Sequence, residues 1–122
     1  HVYDLNGLIK DINCKIKRKG LLVINTPVID SLPAKILQKK WPMLLDVHLH
    51  YFTQKSLSNL LGKHGYKLIF KTRYFQTLPI GYILKRAVDH ITNKNTKSLI
   101  YDLKVQLKYY IGQKCFVFQK KD

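Results

Sequence analysis

Asp4 is followed by Leu5, Leu8, Ile9, Ile12 and Ile16, apolar positions spaced as one face of an α-helix, and a continuous apolar run, Leu21-Leu22-Val23-Ile24, comes directly after it. Asp4 suits the N-cap, the cations from Lys15 to Lys19 suit the negative end of the helix dipole, and Gly20 suits the left-handed position just past the helix. The apolar run is too short for a helix and has no alternation. It predicts a strand buried on both faces, as in a parallel sheet, ended at Asn25-Thr26-Pro27. Helix, glycine and buried strand make the second half of a βαβ unit. The expectation is therefore an α/β fold whose preceding strand lies before His1.

The rest of the chain supplies further elements of both kinds. Val28–Gln38 reads as a helix opening near Asp30 or Ser31, with Pro33 tolerable only in its first turn. Lys39–Phe52 has no period. Thr53 can cap a helix carrying Leu57, Leu60 and Leu61 that stops at Gly65. Tyr66–Phe75 alternates as a strand, with Leu68, Phe70, Thr72 and Tyr74 on one face. Pro79 opens a helix with Ile80, Ile83, Leu84, Ala87, Val88 and Ile91. After a polar turn at Asn93–Lys97, the residues Leu99, Ile100, Leu103 and Leu107 predict one more helix. Gly112 precedes a last strand, Lys114–Lys120, expected to pair antiparallel with Tyr66–Thr72. At 122 residues the whole is expected to be a single domain fragment, 1–122. Two or three strands do not make a stable open sheet, so more strands are expected from elsewhere, and the exposed sheet edge invites a homodimer.

Charge bears on the partner. The chain has 22 Lys and Arg against 7 acids, a net charge of +15, and no Glu at all. Such a balance points to a phosphate-bearing partner, nucleic acid or an anionic membrane surface. Against nucleic acid, only Arg18, Arg73 and Arg86 are arginine, and base and phosphate readers favour the arginine fork. The Lys15–Lys19 run already has an explanation as a helix end. No segment approaches the ~20 apolar residues of a membrane span. Cys14 and Cys115 match no metal spacing and no disulfide framework, which favours a reduced, cytoplasmic setting. The chain opens at His1 without an initiator methionine, as a piece of a longer protein would.

Several stretches carry a more specific signal. They are Lys19-Gly20-Leu21-Leu22-Val23-Ile24, Asn25-Thr26-Pro27-Val28-Ile29-Asp30-Ser31, Lys40-Trp41, His48-Leu49-His50-Tyr51-Phe52-Thr53-Gln54-Lys55-Ser56-Leu57, and Leu60-Leu61-x-x-x-Gly65-Tyr66. In this order and spacing they resemble the C-terminal half of a class I S-adenosylmethionine-dependent methyltransferase, of the bacterial small-molecule subgroup similar to the ubiquinone-pathway O-methyltransferases. Arg18-Lys19 replace a Pro and a Gly of the family pattern. Val47 stands where Glu is usual and His50 where Tyr is usual.

The resemblance implies the C-terminal part of a Rossmann-like sheet with antiparallel last strands. It also implies S-adenosylmethionine as cofactor, methyl transfer to a small-molecule acceptor, and the substrate-side half of the enzyme. The glycine-rich loop and the ribose-binding acid of such enzymes have no counterpart between His1 and Asp122, so the chain alone is expected to bind the cofactor poorly and to be inactive. His48 is implied as the catalytic residue, since an imidazole can take a proton at neutral pH; the alternative is a histidine that hydrogen-bonds its own loop. Trp41, Tyr51 and Phe52 either line the substrate site or pin the loop, and His50 joins them as their neighbour. His1, Asn25 and Thr26 are implied on the cofactor side, the latter two at the carboxyl end of a strand, where open α/β sheets bind ligands. His64 and His90 carry no such implication. The competing reading is a non-catalytic basic α/β module that holds nucleic acid or another anionic partner.

Overall fold

The computed structural model describes residues 3–46, 48–92 and 105–122. His1, the turn Asn93–Lys97 and the positions Leu99, Ile100 and Leu103 lie outside the described residues. The chain forms two compact units, His1–Tyr74 with Tyr110–Asp122, and Phe75–Tyr109. No helix among the described residues is long and apolar enough to cross a membrane.

The first unit contains helix α1 (Leu5–Lys15), strand β1 (Leu21–Pro27), the short helix α2 (Leu32–Leu37) running into a 3₁₀ turn at Gln38–Lys40, helix α3 (Gln54–Lys63), strand β2 (Tyr66–Arg73) and the last strand of the chain, β5 (Gln113–Lys120). Asp4 caps α1 by accepting from Gly7 N–H at 2.9 Å. Thr53 and Ser56 close a reciprocal capping box at α3. The sheet order is β1-β5-β2, with β5 antiparallel to both neighbours, so β1 and β2 run parallel to each other. The expected antiparallel pairing of Tyr66–Thr72 with the last strand is present.

One face of this sheet carries the core. Ile9 from α1 and Leu57 and Leu61 from α3 pack with Tyr66, Phe116 and Phe118, and Leu22, Ile24 and Leu68 close around them. Both helices therefore serve the same face. Burying three aliphatic and three aromatic side chains, at about 1.5–3 kcal/mol each, is the main stabilising term of this unit.

Four local expectations are corrected. Leu21–Ile24 is not buried on both faces in a parallel pair. It pairs antiparallel with β5, and Leu21 and Val23 are 56% and 61% exposed while Leu22 and Ile24 turn inward. An unpatterned apolar run does not say which face will be covered, and α1 and α3 cover only one. The left-handed residue after α1 is Lys19, at φ 59°, not Gly20. Gly20 is required for space instead, because a Cβ there would lie 2.6 Å from Ile16 Cγ2 and 2.8 Å from the Lys17 carbonyl oxygen. The helix expected over Val28–Gln38 shrinks to α2, capped by Ser31, since Val28 is committed to a bridge with Phe52. In β2 a bulge between Leu68 and Phe70 inserts one residue and changes the face. Phe70, expected beside Leu68, therefore lies opposite Val117 and is 58% exposed.

The second unit is a hairpin, β3 (Gln76–Pro79) with β4 (Gln106–Tyr109), and the helix α4 (Ile80–Thr92), which starts one residue after Pro79, the residue expected to open it. Leu107, expected in a helix, lies opposite Leu78 in this hairpin. A four-residue strand is too short to show its alternation against the helical spacing that precedes it. Tyr109 donates its hydroxyl to Gln76 Oε1 at 2.8 Å, and Lys85 pairs with Asp89 one turn on at 2.9 Å.

Candidate functional site

Strand β1 ends at Pro27, and two backbone bonds fix the course of the chain beyond it. Val28 N–H donates to the Gly112 carbonyl at 3.0 Å and Ile29 N–H to the Phe52 carbonyl at 2.9 Å. The chain after β1 thus lies between the start of β5 and the end of the aperiodic loop 41–52. Short turns satisfy part of that loop's backbone, with Leu44 N–H donating to the Trp41 carbonyl and His48 N–H to the Leu45 carbonyl, each at 2.9 Å, and side chains satisfy more. The buried Trp41 donates its indole N–H to the Ile111 carbonyl at 2.7 Å. Tyr51 Oη accepts from Leu45 N–H at 2.7 Å and lies 2.9 Å from the Leu45 carbonyl.

His48 is held from inside the same loop. Its Nδ1 lies 3.0 Å from the Met43 carbonyl, and its ring meets Tyr51 edge-on with centroids 5.8 Å apart. A carbonyl only accepts, so in the neutral ring Nδ1 carries the proton and Nε2 the lone pair. His50 stacks on Phe52 at 6.4 Å with the planes 29° apart.

These constraints leave a cleft of about 200 Å³ at the carboxyl end of β1, lined by Leu5, Thr26, Pro27, His48, His50 and Phe52 among others. Four residues singled out in the sequence, Thr26, His48, His50 and Phe52, meet there. Trp41 and Tyr51 do not line it; they hold the loop that does. Asn25 is exposed and borders an adjoining apolar groove of about 360 Å³ between α1, β1 and α3, which shares Leu5 and Phe52 with the cleft. Leu5 and Pro27 were not apparent as site residues, because in sequence they read only as a helix stripe and a strand end. Gly112, behind the cleft, adopts φ 99°, and a Cβ on it would sit 2.4 Å from Ser31 Oγ and 3.1 Å from Trp41 Cζ2. Nothing local in the sequence points to that three-way contact.

The polar equipment of the cleft is one hydroxyl and two imidazoles. Thr26 Oγ1 lies 3.4 Å from the Pro27 carbonyl, a loose contact. No lining side chain is acidic. Asp30, shortly after Pro27 in the chain, accepts instead from Gln54 N–H at 3.4 Å, at the start of α3. The cleft can orient a small polar group and exchange a proton with it.

S-adenosylmethionine does not fit this cleft alone. Small-molecule sites usually enclose roughly 300–1,000 Å³, and a nucleoside cofactor also needs a close backbone approach and a ribose acceptor. Neither is present among the lining residues. No protein-family model matches the chain, and no curated protein does.

Proposed function

We propose that the chain supplies the substrate-side part of an S-adenosylmethionine-dependent methyltransferase acting on a small-molecule acceptor, with His48 as the proton acceptor. The observation that carries this reading is the convergence of Thr26 with His48, His50 and Phe52 in one cleft at the carboxyl end of a strand. The antiparallel pairing of the last strand with Tyr66–Arg73 also agrees with the antiparallel last strands that the resemblance implies. The cofactor, when bound, supplies the methyl group; its grip belongs to groups other than those lining this cleft.

The chain's own contribution is positional and basic. His50 and Phe52 form a stacked wall against which a flat acceptor rests. The Met43 carbonyl holds the His48 tautomer, so that Nε2 is the atom that takes the acceptor's proton. A hydroxyl acceptor needs this help, since it does not ionise unaided at neutral pH.

The test is kinetic, on the protein that carries this segment with its cofactor-binding part. His48→Ala is expected to lower kcat by about 10²–10⁴-fold with cofactor affinity unchanged. His48→Ala that lowers only melting temperature, or raises only the acceptor's KM, overturns the assignment of the base. Tight binding of S-adenosylmethionine by residues 1–122 alone overturns the division of labour.

A further inference from the structure

The end of the three-stranded sheet opposite the cleft has a different character. There the N-terminal ends of β1 and β2 and the C-terminal end of β5 come together. Lys120 N–H donates to the Gly20 carbonyl at 2.9 Å and Lys121 N–H to the Gly65 carbonyl at 2.8 Å, while Gln119 Nε2 donates to the Lys19 carbonyl at 3.2 Å. This register gathers cations from separate parts of the chain: Lys17, Arg18 and Lys19 before β1, Lys63 at the end of α3, Lys67 in β2, and Lys121 after β5. All six are exposed, and none is in an ion pair among the described residues. Asp122 is the acid that adjoins them in sequence. The helix dipole accounts for the charges next to α1. The dipole of α3 likewise accounts for Lys63 in its last turn, but neither accounts for Lys67 and Lys121 arriving at the same place, where like charges repel.

An apolar surface borders this cluster. Residues paired across an antiparallel sheet point to the same face, so Leu21, Gln119 and Lys67 form one row on the side away from the core. The next row is Val23, Val117 and Phe70. Leu21, Val23 and Phe70 are each more than half exposed, at 56%, 61% and 58%. Exposed aliphatic residues beside a cationic rim fit a partner that offers phosphate and apolar matter together. A nucleic acid offers the phosphates but no site for Leu21 and Val23, and five of the six cations are lysines, point charges rather than base-reading forks.

We propose that this sheet end, with the Leu21–Val23 side of the sheet, is a peripheral docking surface for an anionic membrane. The five lysines and Arg18 engage the headgroups, and Leu21 and Val23 enter the interface. The surface lies at the opposite end of β1 from the cleft and is independent of the chemistry proposed there.

Co-sedimentation of the full chain with vesicles of phosphatidylcholine, with and without phosphatidylserine, tests the proposal. Binding is expected only with phosphatidylserine and is expected to weaken when salt is raised from about 50 to 300 mM, which shortens the Debye length. Reversing Lys17, Arg18 and Lys19 to Glu is expected to weaken it by about a hundredfold or more, from roughly fivefold per cation. Reversing Lys35, Lys39 and Lys40, exposed beyond the other end of β1, is expected to change it much less. The double change Leu21→Asn with Val23→Asn, which keeps the charge, is expected to weaken it by about tenfold. Circular dichroism checks that each variant is folded, and the salt dependence of the unmodified chain tests the electrostatic term without any variant. Equal binding to neutral vesicles, equal loss from both basic triplets, or no binding at all overturns the proposal. So does vesicle binding indifferent to Leu21 and Val23 alongside tight, salt-sensitive oligonucleotide binding, which assigns the cluster to nucleic acid.

Discussion

Replacing Gly112 by alanine probes the contact on which the loop behind the cleft depends. At φ 99° an alanine is strained, which costs on the order of 1–3 kcal/mol. The new Cβ also falls 2.4 Å from Ser31 Oγ and 3.1 Å from Trp41 Cζ2, and both side chains are buried. Overpacking of that kind adds about 1–3 kcal/mol. Two other glycines separate these contributions. Gly65 has φ 85° but nothing within 4 Å of a Cβ, so Gly65→Ala carries the backbone cost alone. Gly62, in α3, has open space and no positive φ, so Gly62→Ala is expected to stabilise by about 0.5–1 kcal/mol. Urea unfolding of the three variants gives the ranking Gly62→Ala above wild type, then Gly65→Ala, then Gly112→Ala. With a urea slope of about 1–3 kcal/mol/M, a loss of about 3 kcal/mol moves the midpoint down by roughly 1–3 M. Trp41 is the single tryptophan and is 2% exposed, so its fluorescence reports the contact directly. A red-shifted native spectrum is expected for Gly112→Ala and for neither control. A Gly112→Ala protein no less stable than Gly65→Ala, with unchanged tryptophan emission, refutes the packing argument.

Three further outcomes are expected. Nitrogen-15 spectra of His48 in the folded chain show the Nδ1–H tautomer, because Nδ1 faces the Met43 carbonyl; an Nε2–H tautomer removes the basis for its role as proton acceptor. Tyr66→Phe is expected to raise stability by about 1 kcal/mol, since the Tyr66 hydroxyl is buried without a hydrogen-bond partner among the described residues. Burial also pushes the Tyr66 phenol above its ordinary value near 10, so its contribution is complete below about pH 10 and is lost as pH rises further; Tyr66→Phe should flatten that alkaline loss, and an unchanged alkaline profile contradicts the reading. Lys120→Met is expected to cost about 1.5–3 kcal/mol and to lower hydrogen-exchange protection in the last turn of α1, because Lys120 Nζ donates to the Asn13 and Ile16 carbonyls at 2.6 and 2.8 Å; protection unchanged at Ile16 N–H argues against it.

The elements legible in the sequence are those whose signals are local. The stripe from Leu5 to Ile16 with its Asp4 cap, the Thr53 cap before Leu57, and Pro79 ahead of Ile80 each place a helix start, because capping and 3.6-residue spacing are satisfied within a few residues. The loop from Trp41 to Phe52 was legible only as an absence of period. That Trp41 reaches the Ile111 carbonyl, seventy positions later, cannot be read from either segment.

Composition and spacing by themselves determined an α/β chain, its helix starts, its last strand and the residue types available for proton exchange. Tertiary structure alone decided the rest. It made β1 antiparallel to a strand that begins at Gln113, because strand pairing is settled by backbone partners far along the chain. It left Leu21 and Val23 in solvent, because both packing helices lie on one face. It turned Phe70 away from Leu68, because one bulged residue inverts the alternation. It brought Thr26 to His48, because the Val28–Gly112 and Ile29–Phe52 bonds fold the loop back over the end of β1. Each of these depends on contacts between residues distant in sequence, whose free energy is gained only once the chain has closed on itself.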